Sequence, residues 1–365
     1  MKYSVDYFIA RGMSEKFAKY YSSCIEKESL RPEYDASFAE WALSKGFLFS
    51  SAKVYGLNEN NFKEYLSDED FYKTWPLNNW TKIWVDDKMT LKYILEGTKY
   101  SNVMPEYYFY TTPNGLLREL VDNPYKGFQN KETLINCIKH FGCIACKPNN
   151  GTASEGFFKL SFDGSSLYIN DEIVSEKEIG IFVEKHPNYI FTEYLYPEKS
   201  FAKVFEKIHT LRVVVLNIEG NNPKIIGGYL RFGTINHGEA NHLSNNLDCK
   251  ASFDFVTDVN FENGYIGNSK SIYFDRVVNT PKHPDSGVLI DGNIPNWSDI
   301  KDTILGISKY LFGLEYIGFD LGITDKGVKL MEINTHPGIK YMQIFKSLYA
   351  DNSICEYFRN KLKSR

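Results

Sequence analysis

The sequence predicts an α+β protein in which a mainly helical N-terminal region precedes domains built around antiparallel sheets. Three observations lead there. Apolar residues recur at helical spacing through residues 1–85. From Cys143 onward, short β-forming runs bounded by turn residues dominate. The chain has 365 residues, more than one hydrophobic core usually serves, so two or three domains are expected. The pattern divides the chain into a helical part, 1–85, a mixed part, 86–142, a strand-rich part with a glycine loop, 143–200, and a C-terminal part, 201–365.

In the first part, Ser14 to Tyr21 and Ala36 to Leu43 carry the helical pattern, and Glu59 to Phe71 gives a weaker, charged version of it. The aromatic side chains here read as core. Thr74 to Trp80 reads as a connecting loop, with Pro76 breaking any helix. Asp86 and Asp87 then suit a helix start, with Met89, Tyr93 and Ile94 expected on its inner side. Met104 to Tyr110 is strand-like, and Lys131 to Phe141 is amphipathic. Strands are expected at Cys143–Lys147, Gly156–Leu160, Tyr189–Leu195, Leu211–Leu216 and Ile225–Phe232. A helix follows from Trp297 to Leu311, with Ile300, Ile304, Ile307 and Leu311 on one face, Ser298 as its cap and Gly313 as its stop.

Gly318 to Asn334 is the most informative stretch. It reads as two apolar strands joined by the turn Thr324-Asp325-Lys326-Gly327, with Gly327 in the left-handed conformation. That hairpin sets Asp320 across from Glu332, and Asn334 shares a face with Glu332. Two carboxylates and an amide oxygen on one face form a hard-oxygen cluster suited to Mg2+ beside nucleotide phosphates. The apolar residues around them argue against a surface hairpin, since buried carboxylates need a partner.

Composition excludes several classes. A net charge of −4, with both signs mixed along the chain, gives no nucleic-acid footprint. No apolar run reaches about 18 residues and the N-terminus has no apolar signal core, so a cytoplasmic location without a membrane span is expected. Cys143 and Cys146 form a Cys-x-x-Cys, but no second ligand pair exists, and they read as small residues on a buried strand. No Gly-x-Ser-x-Gly elbow is present. His209 and His336 read as surface or satisfied core residues.

Other segments carry weaker chemical signals. Lys147 to Gly156 is a strand end followed by a loop with exposed N–H donors able to wrap phosphate oxygens, though it lacks the Walker ending. The segment Ile190 to Pro197 could pair with an adenine edge, Glu193 accepting from the amino group and Glu198 from ribose hydroxyls. Arg212 and Arg231 lie in β-forming runs, where an arginine needs an anionic partner: a transferring phosphoryl group or a structural carboxylate.

In this order, the segments resemble the ATP-grasp superfamily over residues 86 to 340. Asp87-Lys88 is similar to its first phosphate-contacting lysine, and Lys147 with Asn150, Gly151, Thr152 and Gly156 to its second lysine and glycine loop. Phe191-Thr192-Glu193-Tyr194-Leu195 is similar to its adenine hinge, and Arg212 and Arg231 to its catalytic-side arginines. Asp320, Glu332 and Asn334 match its metal signature. The implied fold is two α+β subdomains gripping ATP between antiparallel sheets. Ile294 to Ile300 and Tyr316 to Thr324 further resemble the sugar-transfer-associated ATP-grasp proteins of bacterial capsule, O-antigen and teichuronopeptide clusters. The stretch Glu239 to Asn246 departs from that family, which usually shows an Asp-Asn and a Gly-Gly pair there.

The resemblance implies an ADP-forming carboxylate–amine ligase using ATP and one or two Mg2+ ions, with Mn2+ as a substitute. It joins a small-molecule or glycan carboxylate to an amine, and either partner can be the sugar. A homodimer or association with polysaccharide assembly enzymes is the expected company. Two other readings fit the same residues: a phosphotransferase on this scaffold, and a non-catalytic ATP-binding scaffold.

Overall fold

The computed structural model describes residues 3–125, 131–151, 156–236 and 252–364. Up to residue 95 the elements are helices, joined by short turns. Glu15–Ser29 is capped by Ser14, Ala36–Ser44 by Asp35 and Asp68–Lys73 by Ser67, each side chain accepting from a first-turn N–H. The single helix expected over Glu59 to Phe71 is instead a short turn, Phe62–Glu64, and the helix Asp68–Lys73. The cause is tertiary. Gln343, buried beneath the segment, accepts from Leu66 N at 2.9 Å and donates to Leu66 O at 3.0 Å, drawing that backbone out of any helix.

The helix Lys88–Leu95 starts where expected, and Met89 and Ile94 pack against the core as inferred, but the most buried residues of its inner face are others. Leu91 and Leu95 are buried beside Lys88 and Lys92, whereas Tyr93 faces solvent. Both lysines are drawn inward by partners: Lys92 pairs with Asp122 at 2.8 Å, and Lys88 reaches the cleft described below. Along Trp297–Tyr310 the expected face is buried, yet Ser298 lies within the helix. Asn296, at φ 55, makes the turn and directs the Trp297 side chain onto Phe261.

Two antiparallel sheets follow. The first contains β1 (Tyr107–Thr111), β2 (Leu117–Glu119), β3 (Cys143–Pro148), β4 (Phe158–Phe162), β5 (Leu167–Ile169), β6 (Glu172–Val174) and β7 (Tyr189–Glu193), in the order β2-β1-β7-β3-β4-β5-β6. Helices Lys131–Phe141 and Glu176–Lys185 cover one face and share its core. Cys143 and Cys146 are both buried on β3, unbridged, as small strand residues.

The second sheet contains β8 (Thr210–Leu216), β9 (Lys224–Phe232), β10 (Asp254–Val259), β11 (Tyr265–Ile272), β12 (Val277–Asn279), β13 (Gly292–Asn293), β14 (Tyr316–Thr324) and β15 (Gly327–Asn334). Its path is β12-β11-β10-β9-β8-β14-β15, with β13 on β11. Alternation along β8 divides two cores. Leu211, Val213 and Val215 pack with Leu91, Leu95, Ile300 and Ile304. Val214 and Leu216 pack instead with Phe47, Leu66 and Phe71 of the N-terminal helices. Those helices therefore cover one face of the second sheet. They are tied to it by Asn78, which donates to Tyr316 O at 2.6 Å and Thr335 O at 2.9 Å. His336 stacks on Phe71 with ring centroids 4.0 Å apart, and burial lowers its pKa to about 3.

The central hairpin is buried throughout β14. Gly327 takes φ 94, and Thr324 pairs with Gly327. Continued evenly, that register would place Asp320 against Met331. A bulge between Asp320 and Leu321 moves it by one residue, so Asp320 faces Glu332 and Gly318 faces Asn334.

Candidate functional site

A cleft of about 920 Å³ of empty space, part of it open to solvent, runs between the two sheets. β3 and β7 supply one wall, and β8, β9 and the β14–β15 hairpin supply the other. It brings together Lys88, Lys147, Gly151, Glu193, Tyr194 and Leu195 with Arg231, Asp320 and Glu332.

The two lysines arrive from separate elements. Asp87 caps its helix by accepting from Thr90 N at 2.7 Å, which sets Lys88 at the mouth of the first turn. Lys88 Nζ donates to Asn149 O at 3.4 Å and Gly151 O at 3.3 Å, and lies 3.8 Å from Glu332 Oε2. Lys147 stands near the end of β3. Burial, reinforced by the neighbouring Lys88 and only partly offset by Glu332, lowers its pKa to about 8. Among the described residues no carboxylate comes within ion-pair distance of Lys147. Two inward-turned cations with so little anionic compensation have the chemistry to receive phosphate oxygens.

The acidic side is equally constrained. Asp320 is only 7% exposed. Its β8 neighbour Arg212 donates to both carboxylate oxygens, Nη2 to Oδ2 at 2.7 Å. Burial disfavours the Arg212 charge, but Asp320, with Tyr229 and Glu332, more than restores it and raises the pKa. Asn334 Nδ2 donates to Asp320 Oδ2 and to Glu332 Oε1, each at 3.1 Å. Burial and the nearby Asp320 push the Glu332 carboxyl above its ordinary pKa, with Lys88 and Asn334 opposing.

The Asp320 and Glu332 carboxylates fit a hard divalent cation; Asn334 turns its Nδ2 toward both, so its Oδ1 would join the ligands only with the amide flipped. The two carboxylates converge, and Glu332 is short of positive charge. Among the described residues no three His, Cys, Asp or Glu side chains gather around an ion position. A cation here would complete its shell with water and phosphate oxygens, as Mg2+ does.

Several expected residues sit differently. Glu193, 4% exposed, lines the cleft but also ties the sheets together: its carboxylate pairs with Lys326 at 2.7 Å and Lys329 at 3.3 Å. It accepts from Glu106 N as well, at 3.1 Å. These partners lower its pKa against the opposing effect of burial, Lys326 contributing most. Glu198 is not part of the cleft. It caps the short helix Lys199–Ala202, accepting from Ser200 N at 2.7 Å, so the ribose role inferred for it has no support in its position. Asn150 is exposed and accepts from Asn149 Nδ2 at 3.1 Å. Arg212 and Asn334 stand behind the cleft-lining carboxylates, and Arg231 lies 3.8 Å from Asp254. Gly156, at φ 74, turns the chain where a Cβ would collide with the Tyr189 hydroxyl. Thr152 and the stretch Glu239 to Asn246 lie outside the described residues. His209 is a core residue, donating from Nε2 to Phe201 O at 3.1 Å while Nδ1 accepts from Gly233 N at 3.1 Å; burial lowers its pKa to about 4.

The structure adds residues that sequence reasoning missed. Asn149 is buried and holds the loop to the first lysine, its Oδ1 accepting from Met89 N at 2.9 Å and its Nδ2 donating to Asp87. Phe157, Ile208 and Met331 form apolar surface in the cleft, suited to a nucleobase. Met331 is the residue displaced by the bulge, which no alternation pattern reveals. Asn149 had a legible signal, since an Asn one residue from the strand end matches the capping Asp87 in donor and acceptor.

A profile of the family described as sugar-transfer associated ATP-grasp matches residues 75–354. No curated protein matches the sequence. Among solved structures, D-alanyl-alanine synthetase A from Vibrio cholerae O1 biovar eltor is 14% identical, with 78% of this chain and 67% of that chain covered and a TM-score of 0.43. D-alanine–D-alanine ligase from Bacillus anthracis, complexed with ATP, is 12% identical over 78% and 68% of the two chains, with a TM-score of 0.39. N5-carboxyaminoimidazole ribonucleotide synthetase from Thermotoga maritima is 13% identical over 70% of this chain and 43% of its own, with a TM-score of 0.32.

Proposed function

Because the chain belongs to the sugar-transfer associated ATP-grasp family, we propose that it is an ATP-dependent carboxylate–amine ligase. Its proposed products are amides between a carboxyl sugar and an amino acid or small amine, made for a bacterial surface polysaccharide. The observation that carries this reading is the convergence of Lys88 and Lys147 with Asp320 and Glu332 in one cleft.

The reaction has two displacements. A carboxylate oxygen of the acceptor attacks the γ-phosphorus of ATP; the β–γ bridging bond breaks, giving an acyl phosphate and ADP. The amine nitrogen then attacks the acyl carbon, phosphate leaves with the oxygen that had joined it, and the nitrogen loses a proton. No protein nucleophile takes part. The chain's task is positioning and charge neutralisation.

Lys88 and Lys147 hold the phosphate oxygens. Phe157, Ile208 and Met331 enclose the base, with the segment at Tyr194 and Leu195 along its edge. Arg231 faces the transferred group. Arg212 acts through Asp320, fixing the carboxylate. Asp320 and Glu332, with Asn334, would hold Mg2+, which would supply neutralisation of phosphate charge when bound. The cleft walls keep water from the acyl phosphate.

The test measures ADP and inorganic phosphate release with Mg-ATP across a matrix of uronic acids and amino acids. Equal amounts of both products, requiring a carboxylate and an amine together, support the ligase. ADP without phosphate makes the chain a kinase. No turnover with any pair, with ATP still raising the melting temperature, points to a polymeric acceptor or to a binding role.

A further inference from the structure

A second cavity lies behind the Arg212–Asp320 pair, holding about 1040 Å³ of empty space, part of it open to solvent. Asp320 lines the nucleotide cleft and Arg212 lines this cavity, so the two spaces meet at a single ion pair. One wall belongs to the second sheet and the helix after it. Arg212 and Tyr229 are register partners on β8 and β9, and Lys340 opens the helix Lys340–Phe345. The facing wall is the N-terminal helical region, contributing Glu28, Ser50 and Asp68.

The charges in this cavity are only loosely satisfied. Lys340 Nζ donates to a hydroxyl, Ser50 Oγ, at 2.8 Å. Asp68, 7% exposed, accepts from Leu48 N at 2.9 Å and Ser51 Oγ at 3.0 Å. Glu28 accepts from Ser50 N at 3.4 Å. Among the described residues none of these three charged groups is in an ion pair. Burial raises Asp68 to about 6 and raises Glu28, and burial lowers Lys340 against the pull of both carboxylates. Buried charge without direct pairing is costly, and a cavity that keeps it is arranged for a polar ligand. The space accommodates a molecule of monosaccharide size.

We propose that this cavity is the acceptor pocket: it takes a small carboxylate that also carries hydrogen-bond donors, with the carboxylate toward Arg212 and Lys340 and the donors toward Glu28 and Asp68. The N-terminal helices then have a chemical role, because half of the pocket is theirs. Hydroxyls of a uronic acid and the ammonium of an amino acid are the two sources of such donors. The inference rests on the ligase reading for the step that follows binding, but binding itself is separable from it.

Calorimetric titration of the full chain with D-glucuronate and with L-alanine, each with and without Mg2+ and a non-hydrolysable ATP analogue, tests the pocket. D-glucose, lacking the carboxylate, and cyclohexanecarboxylate, lacking the donors, are the controls. One of the two probes binds at least about tenfold more tightly than its control, the effect expected for a charged group left unpaired. Lys340→Met and Asp68→Asn weaken that binding at least about tenfold while leaving affinity for the analogue unchanged. Ser50→Ala, which removes only the hydroxyl that holds Lys340, gives a smaller loss in the same direction and serves if either charge variant does not fold. The proposal is overturned if neither probe binds, or if binding survives all the variants. Probe binding with no ADP or phosphate release when Mg-ATP replaces the analogue and both a carboxylate and an amine are supplied would overturn the ligase reading and leave the pocket standing.

Discussion

Replacing Lys147 with methionine separates nucleotide binding from stability. Burial and the neighbouring Lys88 hold the Lys147 pKa at about 8, against 10.5 ordinarily. The gap corresponds to about 3 kcal/mol at neutral pH as an upper bound, since each pKa step of one is about 1.4 kcal/mol. Methionine keeps the chain length and much of the volume but carries no charge. Without nucleotide, the variant is therefore expected to be more stable than the wild type by about 1–3 kcal/mol, seen as a higher urea midpoint at unchanged slope. With Mg-ATP the order reverses, because the variant loses the stabilisation that ligand binding confers. The pH dependence gives an independent reading. Below about 8 the folded lysine is charged and its cost is fully present. Between about 8 and 10.5 the folded form releases a proton that the unfolded chain keeps, so this group makes wild-type stability rise with pH across that window. The variant lacks that rise. A lower urea midpoint for the variant at pH 7, or an undiminished ATP effect, refutes the reasoning.

ATP binding at pH 8.5 should take up a proton as phosphate restores the Lys147 charge, and affinity should fall as pH rises past about 8; calorimetry in buffers of different ionisation enthalpy measures both. Glu332→Gln should abolish turnover while the circular dichroism spectrum and melting temperature stay close to wild type, because it removes a charge already disfavoured by burial; retained turnover removes the metal assignment. Arg212→Ala should cost about 3–5 kcal/mol in urea unfolding, the usual consequence of leaving a buried carboxylate unpaired, and a loss under about 1 kcal/mol contradicts the role given to the Asp320 pair. Gly156→Ala should lower stability by about 1–2 kcal/mol from left-handed strain and crowding against Pro148 Cγ, 3.1 Å from the added Cβ; an unchanged urea midpoint would show that the turn relaxes.

The parts of this protein most legible in its sequence are those governed by local periodicity and spacing. Alternation placed β8 and β9, helical spacing placed the buried face of Trp297–Tyr310, and a turn motif placed the hairpin carrying Asp320 and Glu332. Reading failed where distant residues override the local pattern. Gln343 divides the helix expected over Glu59 to Phe71, and Asp122 and the cleft turn Lys92 and Lys88 inward on a helix whose pattern pointed elsewhere. Met331 enters the cleft through a bulge, and Glu198 leaves the site because its carboxylate caps the next short helix. The placement of the N-terminal helices against the second sheet was invisible for the same reason. It depends on contacts such as Asn78 with Tyr316 and Thr335, more than two hundred residues away.

The acyl phosphate is the central claim, and isotope transfer tests it most directly. A uronic acid labelled with ¹⁸O in its carboxylate is incubated with Mg-ATP, an amino acid and the protein, and the released phosphate is analysed by mass spectrometry. The account predicts one labelled oxygen in each phosphate, because the attacking carboxylate oxygen leaves with it. Unlabelled phosphate, or ADP formed with no phosphate released, contradicts the ligase mechanism.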